Sequence, residues 1–298
     1  MKTFLLLVKR NIKIFFNDKG MFLTSLITPM ILLVLYVTFL GNVYRDSFVL
    51  SFGENIMVSD KVLNGLVGGQ LISSILSVSC VTVAFCANFL MVQDKALGSV
   101  KDLTISPVKK SILSLSYFAS SMLSTLIICF SGAAVCLIYV GITGWYLSVI
   151  DILLLILDII LLVLFGTVLS SIINYFLSTL GQISAVGTMV SSTYGFICGA
   201  YMPISSFPEG LQKVISFLPG TYGTSLMRSH VMRGSLEALR TEGVPVEVIE
   251  ACKDAIDCNI YFFGTKVEQG MMFVVLSSSI VILLGIYLSL NYKKRKTA

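Results

Sequence analysis

Residues 159–208 read IILLVLFGTVLSSIINYFLSTLGQISAVGTMVSSTYGFICGAYMPISSFP and contain no Asp, Glu, Lys or Arg. Because about 20 apolar residues cross a bilayer as an α-helix, this stretch is too long for one crossing. Charge-free runs at 20–44, 62–93, 111–150 and 269–292 are each long enough for at least one crossing. Of all 298 residues, only 12% are charged and 56% are hydrophobic, whereas about 25% of a soluble domain is charged. The composition therefore excludes an ordinary soluble domain and predicts an integral membrane protein.

The apolar runs divide into six predicted membrane-spanning helices. Backbone groups in lipid have no water partners, so a span must be a helix or part of a closed barrel, and the alternating strands of a barrel are lacking. The long run between residues 111 and 207 breaks at two polar or turn-prone segments, 141–145 and 174–182. The predicted spans are 21–40, 66–91, 115–140, 146–173, 183–201 and 270–290. The predicted fold class is therefore an all-α membrane protein with six transmembrane helices.

The basic residues predict the orientation of these spans. Six spans place both termini on one side of the membrane, together with the loop between the second and third spans. That side carries 13 basic and 3 acidic residues, and the opposite side carries 8 basic and 11 acidic residues. Because basic loops stay in the cytoplasm, we expect a multi-pass protein of the plasma membrane with both termini cytoplasmic.

Residues 1–19 are predicted to form an amphipathic helix that lies on the membrane surface. At about 100° per residue, an apolar face forms opposite a basic face. The apolar face holds Phe4, Leu5, Val8, Ile12, Phe15 and Phe16, and the basic face holds Lys2, Lys9, Arg10, Lys13 and Asn17. Such a helix rests in the lipid interface with its cations toward anionic headgroups. The alternative is a plain cytoplasmic extension of the first span.

Residues 93–110 read QDKALGSVKDLTISPVKK and form the long cytoplasmic loop of this topology. A short helix is predicted over 99–105, between Gly98 and Pro107. This helix would fit a groove on a partner protein, and the alternative is a solvated basic loop held by anionic lipid. The phosphate-binding patterns G-x-x-x-x-G-K-[ST] and G-x-G-x-x-G occur nowhere in the chain. The sequence therefore indicates no ATPase site of its own.

The external segment at 199–234 is predicted to form a re-entrant hairpin. Apolar residues at helical spacing predict a short helix over 211–218, and a second helix is predicted over 223–232. Both are too short to cross, which favours a hairpin in the outer leaflet. The alternative is a loop packed on the surface. Residues 235–268 are predicted to form an extracellular cap with a helix that begins at Pro245.

Two cysteines of the cap are candidates for a disulfide. Cys252 and Cys258 are six residues apart, so in one continuous helix they would lie about 9 Å apart along the axis, beyond the reach of a bridge. A bridge requires the helix to end near Asp257. The alternative is a pair of free thiols. The single histidine of the chain and the scattered cysteines predict no metal site.

Two acids lie within the predicted fourth span. Asp151 and Asp158 are on nearly one face of a helix, with Asp158 about 10 Å deeper in the membrane. An unpaired carboxylate at mid-bilayer costs about 2.5–3.5 kcal/mol on insertion scales, so Asp158 is expected to face protein or water. It would either contact a cationic substrate or relay a proton, or it would fix helix packing through a hydrogen bond. His230 is predicted to be a surface or interfacial residue.

Three stretches, taken in order, resemble the permease subunits of the ABC-2 type exporters. Residues 9–33, KRNIKIFFNDKGMFLTSLITPMILL, are similar to that family's interfacial helix and first span. Residues 92–110, VQDKALGSVKDLTISPVKK, are similar to its cytoplasmic coupling segment. Residues 199–228, GAYMPISSFPEGLQKVISFLPGTYGTSLMR, are similar to the hallmark segment before its last span.

The resemblance implies roles for the matching residues. Movement of a partner ATPase would be received by Arg10, Asp18, Lys19, Asp94, Lys95, Gly98, Leu103 and Pro107. The outer end of the pathway would be closed by a gate that includes Gly199, Pro203, Pro208, Pro219 and Arg228. No residue of this chain is expected to be catalytic.

The resemblance also implies partners. These are a second permease, as a homodimer or a similar heterodimer, and two ABC ATPase subunits that hold ATP and Mg. A drug, antibiotic, peptide, lipid or glycan would pass out of the cell between the two permeases. No nucleic-acid partner is expected.

Other functions compatible with the sequence are an ion-coupled secondary transporter and a membrane immunity or assembly protein that binds an external ligand. Secondary transporters often carry internal repeats and broken helices at mid-membrane, and no obvious repeat relates the two halves of this chain. A membrane hydrolase is disfavoured because no nucleophile–base or metal constellation occurs.

Overall fold

The computed structural model describes residues 1–52, 58–105 and 108–296, and the side chains of Thr104 and of residues 293–296 lie outside the description. The helices are α1 (Lys2–Asn17), α2 (Lys19–Leu35), α3 (Gly41–Phe52), α4 (Asp60–Ala96), α5 (Ser99–Ile105), α6 (Lys110–Thr143), α7 (Val149–Phe176), α8 (Leu180–Ile197), α9 (Glu209–Ile215), α10 (Pro219–Thr241), α11 (Val246–Ala255) and α12 (Gln269–Lys296). Two short antiparallel strands, β1 (Ile260–Phe262) and β2 (Thr265–Val267), form a hairpin.

Helix α4 is the central element of the bundle. It packs against α2, α6, α7, α8 and α10. In its apolar window 94% of the residues are buried, whereas the windows of the other four apolar spans are 22–50% buried. A helix that is buried all round needs small residues where neighbours approach closely, and α4 supplies glycines and serines along its length.

Within the described ranges, five helical segments are long and apolar enough to cross a membrane. They are Lys19–Phe52, Asp60–Ala96, Lys110–Thr143, Val149–Phe176 and Gln269–Tyr292. These segments contain the predicted first, second, third and last spans and overlap most of the fourth, so the predicted helical membrane protein is confirmed. The predicted fifth span overlaps α8, a charge-free helix whose serines and threonines lower its hydropathy.

The first membrane helix is longer than predicted. The predicted span ended at residue 40, but the helix passes through a π-helical turn, Tyr36–Leu40, and continues to Phe52 as α3. Arg45 is the first charged residue after the predicted span, and it is bound by α4. It donates to the Asn64 side chain at 3.0 Å and forms an ion pair with Asp60.

The predicted N-terminal helix is present as α1, and it packs against α6. Its buried residues are Leu7, Val8, Asn11 and Phe15, while Leu5 and Leu6 remain exposed. Asp18 caps the next helix, because its carboxylate accepts from the Met21 N–H at 3.1 Å. The N-terminal helix therefore ends, and the first membrane helix begins, at Asp18.

Helix α5 was predicted accurately, whereas helix α10 was not. Helix α5 has the predicted bounds, 99–105. Helix α10 is much longer than the predicted 223–232, and it packs against α4, α7 and α12. Gly220 of α10 lies beside Phe165 of α7, and Gly234 lies beside Tyr146 just before α7. Helix α10 therefore runs antiparallel to α7 as an internal element of the bundle.

The cap contains α11 and the β1–β2 hairpin, and the hairpin corrects the expectation of a purely helical chain. Its turn holds two residues with positive φ, Phe263 at 49° and Gly264 at 82°. Two successive positive φ angles characterise the tight turns that connect antiparallel strands. The aromatic and β-branched residues of Ile260–Phe262 favour an extended conformation on its flank.

Helix α4 touches α10 through glycine, which gives a packing prediction. A Cβ atom added at Gly69 would lie 2.7 Å from Met232 Cγ. We expect Gly69→Leu to destabilise the folded protein by about 1–3 kcal/mol, because overpacking forces neighbouring side chains and backbone to move. Thermal unfolding of the purified protein in detergent measures this loss.

The matched control is Gly285→Leu on α12, where an added Cβ meets nothing within 4 Å. We expect this variant to unfold at the wild-type temperature. Equal melting temperatures for Gly69→Leu and the wild type would contradict the packing assigned to Gly69.

Candidate functional site

A buried carboxylate at the C-terminal end of α4 joins three helices. Asp94 accepts hydrogen bonds from both terminal nitrogens of Arg10 on α1, at 2.7 and 3.3 Å, and from the Tyr117 hydroxyl on α6. The side chain of Asp94 is 7% exposed and that of Arg10 is 31% exposed. The hydrogen bond to Asp94 raises the pKa of the Arg10 guanidinium above its usual range, so Arg10 stays charged at every physiological pH.

The next residue, Lys95, binds a fourth helix. Its Nζ donates to the backbone carbonyls of Asn174, Tyr175 and Leu177 at 3.1–3.2 Å. These carbonyls lie at the C-terminus of α7, where helix carbonyls lack partners and the helix dipole favours a cation. Lys95 therefore fixes the end of α7 to the end of α4.

We call Arg10, Asp94, Lys95 and Tyr117 the cytoplasmic junction, after the side of the membrane that the basic residues predict for it. Two adjacent residues of opposite charge at the end of α4 bind α1 and α6 on one side and α7 on the other. Breaking such a partly buried charge-assisted pair leaves an uncompensated charge, so these bonds hold the four helices together at this point.

The junction unites three of the predicted coupling residues, Arg10, Asp94 and Lys95. The others lie around it: Asp18 caps α2, Lys19 is the first residue of α2, Gly98 turns the chain from α4 into α5 with a φ of 83°, and Leu103 of α5 packs against the core. Pro107 lies outside the described residues. Sequence reasoning missed Tyr117, because a tyrosine near the start of an apolar helix resembles an ordinary interfacial residue.

A second buried ion pair lies on the side that the basic residues predict to be external. Arg228 of α10 is the largest fully buried side chain among the described residues. Its Nη2 donates to the Gly199 carbonyl at 3.0 Å, and its Nη1 lies 3.5 Å from Asp257 of the cap. Asp257 in turn accepts from the Ile204 N–H at 2.9 Å. These residues join the loop after α8, α10 and the cap. We call Gly199, Ile204, Arg228 and Asp257 the external seal, after the gate that the family resemblance implies.

Backbone conformation restricts two positions of the seal. Gly199 has a φ of 67° and Asp257 a φ of 56°, and a Cβ added at Gly199 would lie 2.5 Å from the Asp257 carboxylate.

Burial raises the pKa of Asp257 to about 6, against the opposing effect of Arg228 and of the Ile204 and Ser205 N–H groups. The carboxylate therefore titrates near neutral pH.

The predicted gate prolines act as starts of helices around the seal. Pro203 precedes a short 3₁₀ turn, Pro208 precedes α9, and Pro219 is the first residue of α10. Of the predicted gate residues, the structure brings Gly199 and Arg228 into direct contact. Asp257 was missed, since in sequence it is one of several acids in a polar segment.

Both acids of α7 are paired with α10. Asp151 completes a capping box with Ser148 and lies 2.7 Å from Nε of Arg233. Asp158 lies 2.6 Å from Nδ1 of His230. His230 was predicted to be a surface or interfacial residue; its side chain is 14% exposed and meets a buried carboxylate. The seven-residue spacing of the two acids placed them on one face of a helix, but nothing in the sequence identified their partners.

A groove of about 940 Å³ opens on the surface between α2 and α8, with Cys86 and Phe89 of α4 among its lining residues. One wall is apolar and comes from α2 and the helix that continues it. It includes Ile27, Ile31, Leu35 and Phe39. The other wall comes from α8 and is rich in hydroxyls. It includes Ser184, Thr188, Ser191 and Ser192. The groove thus offers an amphipathic surface at membrane depth.

The structure contains no bridge between the two cysteines of the cap. Cys252 and Cys258 are buried, and all seven cysteines of the chain are unbridged. Helix α11 ends at Ala255, so the helix ends before Cys258, as a bridge requires, and the bridge itself stays a prediction. Among the described residues, no group of three His, Cys, Asp or Glu side chains is arranged to hold a metal ion.

Comparison with known families gives one match. The family model described as "ABC-2 type transporter" matches residues 2–232, a range that contains the cytoplasmic junction, the groove and Arg228. The cap with Asp257 lies beyond it. No curated protein matches the chain.

Asp257 gives a pH-dependent prediction. Its pKa of about 6 in the folded protein exceeds the value of about 3.9 for a free Asp, so the folded state binds the proton more tightly. The resulting stabilisation is complete below about pH 3.9 and is lost as the pH rises through about 6. We expect a C=O band of a protonated carboxyl group to appear in infrared difference spectra as the pH falls through about 6.

The band is assigned by substitution. Asp257→Asn removes this carboxyl and is expected to lack the band, whereas Asp46→Asn, at an exposed position on α3, is expected to retain it. A band of unchanged size in Asp257→Asn would show that a different group titrates.

Proposed function

From the premise that this chain belongs to the ABC-2 type transporter family, we propose that it is the permease of an exporter whose ATPase is a separate subunit. The observation that supports this most directly is the cytoplasmic junction. It ties the N-terminal helix α1 to the ends of α4, α6 and α7 immediately before the α5 loop. A force applied to α1 or α5 from the cytoplasm therefore reaches three long membrane helices.

The partner in this proposal is an ABC ATPase, present in two copies and holding ATP and Mg. The chain has no phosphate-binding loop motif, so the energy must come from another protein. Helix α5 offers a contact surface: Leu97 before it is 72% exposed and Ile105 at its end is 84% exposed. Such apolar residues on a charged loop are suited to a groove on a partner.

The proposed topology has six spans and cytoplasmic termini in the plasma membrane. Helix α8 is the fifth span, supported by its 18 charge-free residues, which extend about 27 Å. Helices α9 and α10 form the re-entrant element. In support, α10 begins beside Phe165, about 24 Å along α7 from its external end.

The proposed pathway is the groove between α2 and α8, faced by the same groove of a second permease. The second permease is another copy of this chain or a similar protein. The mixed lining, apolar on α2 and hydroxyl-rich on α8, suits an amphipathic substrate, with drugs, antibiotics, peptides, lipids and glycans as the candidate classes. The external seal closes the outer end.

One observation favours a second candidate, an ion-coupled transporter. The Asp158–His230 pair, at 2.6 Å, joins two titratable groups inside the membrane, as in proton relays. In the exporter proposal this pair holds α10 against α7. The energy source for transport separates the two candidates, since only the exporter requires ATP.

The deciding experiment begins with purification of the tagged chain from its own cells and mass spectrometry of the co-purifying proteins. We expect an ABC ATPase among them. The complex is then reconstituted in vesicles with a fluorescent amphipathic dye as the probe, and ATP-dependent dye movement is measured. Movement driven by a pH gradient without ATP would overturn the exporter proposal and favour the ion-coupled transporter.

The junction gives a prediction for coupling. We expect Asp94→Asn to lower ATP-dependent transport about tenfold, which corresponds to about 1.4 kcal/mol, the order of one charge-assisted hydrogen bond. Arg10→Lys keeps the charge but loses the bidentate geometry, so it is expected to give a smaller loss. Transport per ATP hydrolysed is the measurement.

Asp46→Asn is the matched control, because Asp46 is an exposed acid on α3 far from the junction in the proposed topology. It is expected to transport like the wild type. Full transport by Asp94→Asn, with ATPase bound and normal membrane levels, would remove the junction from the coupling path.

A further inference from the structure

Three phenylalanines form an exposed cluster on the external side. Phe217 follows α9, and Phe262 and Phe263 lie at the tip of the β1–β2 hairpin. Their ring centroids are 5.2, 5.9 and 4.9 Å apart, and each pair meets edge to face. Phe217 and Phe263 are each 62% exposed and Phe262 is 38% exposed. We call these residues the aromatic triad.

The hairpin is fixed from behind, so the triad is a preformed feature. Ile260 of β1 is buried with Ile204, Ile215, Tyr222, Leu226 and Met272. Lys266 of β2 pairs with Glu250 of α11 at 2.7 Å. These contacts hold the hairpin against α9, α10 and α12, and leave the aromatic rings on the outer side. A contiguous exposed apolar patch of this kind marks a binding surface.

The depth of the hairpin can be read along the helices. Leu276 of α12 contacts Gly223 of α10, which in turn contacts Leu162 of α7. Leu162 lies about 21 Å from the cytoplasmic end of α7 at Phe176, and Leu276 lies about 10 Å from the external end of α12 at Gln269. The external end of α12 is therefore about 31 Å above the cytoplasmic end of α7, which equals the thickness of a hydrocarbon core of about 30 Å.

The triad is continuous with a surface that already faces lipid. Helix α12 begins two residues after β2, and its first turns expose Met271, Phe273 and Val274 at 57%, 40% and 56%. This helix is one of the five that are apolar enough to cross the membrane. The base of the hairpin thus lies at the level where the hydrocarbon meets the headgroups. Its tip lies deeper, because it contacts Phe217, two residues before α10 begins beside Phe165.

We propose that the aromatic triad inserts into the outer leaflet and anchors the cap to lipid. Phenylalanine is apolar, and its side chain is favoured inside the hydrocarbon. The anchor has a mechanical connection to the external seal, because Ile260 and Ile215 pack with Ile204, whose N–H is bound by Asp257. Outer-leaflet lipid is therefore in contact with the segment that holds the seal. The proposal does not depend on which energy source drives transport.

The test uses an introduced indole and brominated lipid. Phe263→Trp is made in a Trp145→Phe background, which removes the single native tryptophan. The full-length protein, with any partner that co-purifies, is reconstituted in phosphatidylcholine bilayers with or without bromine on the acyl chains. We expect strong quenching by the brominated lipid and weak quenching by acrylamide in the water. Phe217→Trp is expected to behave in the same way.

The control is Val246→Trp in the same background. Val246 is 56% exposed at the start of α11, beyond the external end of α10, and we expect it to be quenched by acrylamide only. If the indole at position 263 is quenched by acrylamide alone, the triad lies in water and the proposal fails. If neither quencher acts there, protein covers the triad, and the proposal fails as well. Unchanged melting temperatures establish that the variants are folded.

Discussion

Hydrocarbon cannot solvate a charge, and this constraint fixes the position of α10. The helix carries three cationic or titratable groups, Arg228, His230 and Arg233, on a segment that is packed inside the bundle. Each meets an acid: Asp257, Asp158 and Asp151 respectively. Since a charge buried without a partner costs several kcal/mol, the pairs with Asp151 and Asp158 favour one register of α10 beside α7, and the pair with Asp257 joins α10 to the cap.

Helix α4 connects the two ends of the molecule. Its C-terminal end carries the junction, and near its N-terminal end Gly65 and Gly69 allow contact with Ser235 and Met232 of α10. The same helix therefore contacts the junction residues at one end and, at the other, the helix that bears Arg228. The path from the cytoplasmic junction to the external seal runs along α4 and crosses into α10 at these glycine contacts.

Sequence alone predicted the elements whose signal is local. Charge-free runs located the long helices, Gly98 and Pro107 bracketed the predicted helix over 99–105, and Pro245 marked the start of α11. The partners of the buried charges could not be predicted, because His230 is 72 residues from Asp158 and no local pattern joins them. The length of α10 was underestimated for a related reason: its charged residues resemble a solvated surface until their acids are in place. The junction was predicted in part, from the resemblance rather than from spacing.

Three hydroxyls that line the groove donate their hydrogens to their own helix. Ser184, Thr188 and Ser192 bond to carbonyls one turn earlier on α8. In this conformation each oxygen turns only lone pairs toward the groove, so these three groups accept hydrogen bonds there and donate none. This part of the wall therefore complements N–H and O–H groups.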